Sequence, residues 1–95
     1  MLSYCFNEQV IQITESSDEN DVQFLIKVLQ KDPYVEKMQK VRRFFDDNRV
    51  YTDVLFYALA DHTYKVIVRI DFYADFILEL MKHRLLESVE WKSGQ

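Results

Sequence analysis

From Tyr51 to Trp91 the spacing of apolar residues changes twice, from every second position, to every third or fourth, to a short closing run. Strands alternate with period two and helices repeat near 3.6, so the order reads as a hairpin, an amphipathic helix and one more strand. Between Tyr51 and Ala60, Val54, Phe56, Ala58 and Ala60 point one way and Asp53, Leu55, Tyr57 and Leu59 the other. After a turn at Asp61-His62-Thr63, Tyr64, Val66, Val68 and Ile70 share one face, and Lys65, Ile67, Arg69 and Asp71 the opposite one. The first of these faces meets the core, because the second carries three charges. A helix from about Asp71 to Leu86 follows, with Phe72, Phe76, Ile77, Leu80 and Met81 on its apolar side, and Ser88 to Lys92 forms the last strand.

The first half is less sharply patterned. One strand is expected at about residues 9–14, with Asn7-Glu8 turning a short preceding strand back on it. The polar run Glu15 to Asn20 then offers helix N-caps, with acids where a helix start favours them. Val22, Leu25, Ile26 and Leu29 predict a helix over Asp21–Lys31, although Phe24 and Val28 leave a strand open there. Asp32-Pro33 breaks this helical segment, and a second helical piece runs from Pro33 to about Asp46.

The resulting order, β-α-β-β-α-β, resembles the ferredoxin-like arrangement: an α+β sandwich with a four-stranded antiparallel sheet and both helices on one face. Ninety-five residues make one domain, 1–95, with short loops. Seven Phe, six Tyr and one Trp supply bulk to a small core, for which Phe56, Val66, Val68, Phe72, Phe76, Leu80 and Trp91 are the candidates.

Composition removes several chemistries. Gly94 is the sole glycine, so a P-loop, a dinucleotide fingerprint and a GXXG clamp are excluded; each needs glycine for close backbone approach. Cys5 is the sole cysteine, which rules out an intrachain disulfide and a cysteine zinc site, and it is expected to be a small buried thiol. No apolar run of membrane-spanning length and no basic leader are visible, so a cytoplasmic location is expected. No cofactor is expected. The net charge of −4 disfavours non-specific nucleic-acid binding.

Local clusters remain. Lys37, Lys40, Arg42, Arg43 and Arg49 form a basic patch, whose structural explanation is that cations near a helix C-terminus answer its dipole. Asp71, Asp75, Glu79 and His83 recur at i, i+4 and are weak metal-ligand candidates, with Asp61 and His62 as the nearest additional donors; a solvated helix edge with a Glu79–His83 pair is the preferred explanation. Asp61-His62 as a catalytic pair lacks a nucleophile, and turn chemistry accounts for it.

The apolar side of the outer sheet face, with Leu55, Tyr57, Leu59 and Ile67, is the strongest signal, a patch of a few hundred Å² unless the N-terminal strand or the chain's tail folds over it. The expected function is a small non-enzymatic interaction or regulatory protein, a homodimer or a partner of another protein through that face, with no nucleic acid and no membrane involved. The alternative is a divalent-metal-dependent nucleic-acid-processing protein using Asp71 or Asp75 beside the Arg42-Arg43-Arg49 cluster.

Overall fold

A computed structural model describes residues 2–51 and 53–92. Six strands and two helices make a mixed α+β unit: β1 (Leu2–Cys5), β2 (Ile11–Ser17), β3 (Asp21–Val28), α1 (Lys31–Asp47), β4 (Val54–Leu59), β5 (Thr63–Arg69), α2 (Tyr73–Lys82) and β6 (Ser88–Trp91). Short 3-10 turns at Arg49–Tyr51 and Ile70–Phe72 lead into β4 and α2.

The expected helix over Asp21–Lys31 is a strand. Along β3, Val22, Phe24, Ile26 and Val28 are buried while Gln23, Leu25 and Lys27 alternate outward. A helix would have buried the Val22, Leu25, Ile26, Leu29 stripe and thrown Phe24 and Val28 off it. The strand buries both, and β-branched and aromatic residues suit the pleat. The acidic run before it closes a hairpin instead of capping a helix: Asp18 Oδ1 accepts the N–H groups of Asn20 and Asp21, each at 2.9 Å. Those two donors hold the Asp18 carboxyl below its ordinary range.

With β3 central, the four-stranded antiparallel sheet has the order β2-β3-β5-β4. It is a hairpin, a helix, a second hairpin and a second helix, and this strand order departs from the ferredoxin-like one. The sheet gains β3 yet keeps four members because β6 leaves it. β6 pairs antiparallel with β1 in a separate ribbon, Leu2 opposite Trp91, so β1 does not turn back on β2. Asn7 closes that first loop, its carbonyl accepting the N–H groups of Val10 and Ile11.

Both helices lie on one face of the sheet. Met38, Val41 and Phe45 of α1 and Phe76, Ile77 and Leu80 of α2 are buried against Phe24, Ile26, Val54, Phe56, Val66 and Val68. At the centre, Phe76 stands 4.7 Å from Phe24, 5.8 Å from Phe45 and 6.0 Å from Phe56, ring centre to ring centre. Phe72 is half-buried. Trp91, by contrast, is 70% exposed, because β6 sits in the ribbon outside the sheet.

Within α1, Asp32 is extended and Pro33 follows it through a cis peptide bond, so regular helix begins after Pro33. Helix α2 stops at Lys82, short of Leu86. Arg84 adopts a left-handed backbone (φ 61°), its N–H bonding Met81 O at 2.9 Å, and the Leu85 N–H bonds Leu80 O at 3.0 Å. This is the Schellman pattern, with Leu85 packing back onto the core in place of another helical turn.

Candidate interaction surface

The helices leave the second sheet face uncovered. Period two sends alternate residues of each strand to it, and cross-strand register arranges them in rows. Leu55 lies opposite Ile67, which faces Gln23; Tyr57 lies opposite Lys65, which faces Leu25. Leu59 pairs with Thr63, which faces Lys27. Leu25, Leu55, Tyr57 and Leu59 are 43%, 46%, 47% and 49% exposed. Ile67 and Lys65 are half-buried between them.

All four residues expected on this face are therefore adjacent on it, and Leu25 joins them. Sequence reasoning missed Leu25 because a helical stripe assigned it to the core. The alternation of Val22, Phe24, Ile26 and Val28 was the signal that places it outside. The N-terminal strand does not cover this face. Leu2 is buried in the core and the Tyr4 hydroxyl reaches Glu15, whose backbone pairs with Phe24 on the helix side. Residues 93–95 of the tail lie outside the described residues.

Glu15 ties three elements together. Its Oε1 accepts the Tyr4 O–H from β1 at 2.5 Å and its carboxylate accepts the Tyr73 O–H from α2 at 3.1 Å. Burial first, then the adjacent carboxylate, raises both phenols, Tyr73 to about 12. The cluster fastens the β1–β6 ribbon and α2 to the outer edge of β2.

The basic patch is partly neutralised within its own helix. Lys40 pairs with Glu36 at 3.6 Å, Arg42 with Asp46 at 3.4 Å, and Lys37 lies 5.0 Å from the Tyr34 ring centre. The dipole explanation fails: the last turn of α1 carries Asp46 and Asp47 and no base. Arg43 and Arg49 line a shallow cleft of about 450 Å³ with Lys40, Phe44, Asp47 and Asn48.

The metal candidates are dispersed. Asp71 belongs to the 3-10 turn before α2 and lies 3.8 Å from Arg69, which also reaches Asp53 at 3.8 Å. Asp75 sits in the first turn of α2, where its charge suits the helix dipole. Glu79 is buried and meets His83 Nε2 at 3.1 Å. Among the described residues no three His, Cys, Asp or Glu side chains are grouped to hold an ion. Asp61 and His62 supply no further ligand, since they stand at the opposite end of β5, roughly 20 Å away at 3.3 Å per residue. Both occupy left-handed turn conformations (φ 58° and 54°), and they line a cleft of about 570 Å³ with Lys27, Lys31 and Leu59. The clefts bordered by Arg42, Arg43 and Arg49 include neither Asp71 nor Asp75. Cys5, expected to be buried, is exposed at the end of the ribbon. Among the described residues no helix is long and apolar enough to cross a membrane.

Comparison with protein-family models, with curated proteins and with solved structures gave no match.

Proposed function

We propose that this chain is a small non-enzymatic interaction protein that associates through its open sheet face, with a second copy as the partner. One observation carries this: four large apolar side chains, Leu25, Leu55, Tyr57 and Leu59, stand nearly half exposed around Lys65 on one regular surface. Single exposed leucines are ordinary, but a contiguous set on a rigid sheet has the extent at which partners bind.

Leu25→Glu tests it, because the new carboxylate lies beside Lys65 and so is tolerated by the monomer, while an apolar partner surface rejects it. Light scattering on the purified chain is expected to report a species larger than the monomer, and Leu25→Glu is expected to lower its mass. Raising salt from about 0.05 to 0.5 M is expected to leave the association in place, since screening weakens exposed charge pairs and not apolar contact. An unchanged mass for Leu25→Glu refutes the reading.

A further inference from the structure

The sheet ends in two edge strands of opposite character. Ladder bonds fix which backbone groups each edge turns outward. The Arg69 N–H bonds Asp53 O at 3.1 Å, so on β4 the odd-numbered residues bond β5 while Val54, Phe56 and Ala58 turn their N–H and C=O groups away from it. The bond from Val28 N–H to His62 O, 3.0 Å, gives β5 the matching parity towards β3. By the same alternation β2 turns Ile11, Ile13, Glu15 and Ser17 outward. Part of that edge is engaged: the Ile11 N–H bonds Asn7 O, and Glu15, bridged to Tyr4 and Tyr73, holds the β1–β6 ribbon and α2 beside it.

The β4 edge has no such protection. Val54-Leu55-Phe56-Tyr57-Ala58-Leu59 contains no charge, proline or glycine, and among the described residues its backbone pairs only with β5. Natural sheets block free edges with lysine, proline, bulges or covering loops, and an uncharged β-prone edge left open is a template for another strand. In the first half of the strand burial alternates, with Val54 and Phe56 buried and Leu55 exposed, whereas Tyr57, Ala58 and Leu59 are exposed in succession.

We propose that β4 pairs antiparallel with β4 of a second copy, about a twofold axis at Ala58, so that one sheet runs through both molecules. Ala58 is the residue of the exposed half whose backbone faces outward, and its small side chain permits close approach. This register places Tyr57 opposite Leu59 of the partner subunit, and Leu59 opposite Tyr57 of the partner subunit, an aromatic–aliphatic pairing that stabilises antiparallel strands. Val54–Leu59 carries no charge, so like charges do not meet between the paired strands. A second copy is favoured over a foreign strand because the twofold satisfies both edges with the same residues. The edge is distinct from the open face, and pairing along it would join two such faces into one.

The experiment compares the full-length chain with Ala58→Pro, Ala58→Lys and Leu25→Glu by sedimentation velocity and light scattering. Proline at 58 removes an outward N–H and sets a ring where the partner backbone would lie, yet breaks no bond to β5. Lysine at 58 sets two cations on the axis and retains the N–H, which covers the case of a misfolded proline variant. Edge pairing predicts that both Ala58 variants lose half of the wild-type mass. Leu25→Glu is then expected to remain no smaller than a dimer, since it touches only the face. A monomeric wild-type chain, or Ala58→Lys at wild-type mass with a native circular dichroism spectrum, overturns the proposal. If Leu25→Glu alone is monomeric, the face holds the copies together and the edge does not; if Leu25→Glu keeps wild-type mass while the Ala58 variants halve it, the edge stands and the face reading falls.

Discussion

Replacing Arg84 by glycine is expected to leave the protein more stable than replacing it by alanine, although glycine deletes the whole side chain. Arg84 is exposed and follows α2 at φ 61°, in the left-handed region where a Cβ crowds the neighbouring carbonyl. That conformation costs an L-residue about 1–2 kcal/mol. Glycine removes the clash but gives the unfolded chain more freedom, which returns about 0.4–1 kcal/mol. The net expectation is a gain of about 0.5–1 kcal/mol for Arg84→Gly over Arg84→Ala, with alanine serving as the reference that loses the guanidinium but retains Cβ. In a domain of this size that is a rise in Tm of roughly 2–8 °C. Urea unfolding followed by circular dichroism, at constant m-value, measures it. The two N–H groups that close the helix, those of Arg84 and Leu85, persist in both variants, so capping itself is unchanged. Equal midpoints for the glycine and alanine variants, or a less stable glycine variant, would refute the account of how α2 ends.

Two further outcomes follow from the core and from Glu15. Phe76→Ala empties the centre of the aromatic cluster formed with Phe24, Phe45 and Phe56, and is expected to cost about 3–5 kcal/mol in chemical denaturation; a loss below about 1 kcal/mol would mean that the cluster is not where the two layers are joined. The phenol of Tyr73 is raised from 10.0 to about 12 in the folded chain, and that of Tyr4 is raised as well. The folded state therefore holds protons that the unfolded state releases, so this contribution to stability is intact below about pH 10 and is lost as pH climbs from 10 towards 12. The urea midpoint is expected to decline over that range and to decline less steeply in Tyr73→Phe; identical slopes would contradict the Glu15 linkage.

The second half of the chain was legible because its local pattern and its tertiary role agree. Val54, Phe56, Tyr64, Val66 and Val68 alternate with Leu55, Tyr57, Lys65, Ile67 and Arg69, and one charged face left a single choice for the buried side. The pairing of β4 with β5, the covering of one face by both helices, and the apolar open face all follow from that alternation. Residues 21–28 were ambiguous for a definite reason. Their apolar content is high on both sides, so Leu25 fits a helical stripe as well as Phe24 fits a strand. Only the place between β2 and β5, where both backbone edges are paired, selects the strand.

Other features required the tertiary structure altogether. No glycine marks the end of α2, so its stop depends on Leu85 and Leu86 being drawn into the core, which the helical period alone cannot register. The pairing of β1 with β6 joins residues from the two ends of the described chain, and no local signal encodes a partner that far away. That pairing leaves Trp91 in solvent, against the tendency of its residue type, and exposes Cys5. The separation of Asp71 from His62 by the length of β5 is likewise a matter of where strands begin and end. Sequence therefore determined which surfaces are apolar and which chemistries lack their residues. Chain packing decided which of those surfaces stay open, because exposure depends on what the rest of the chain covers.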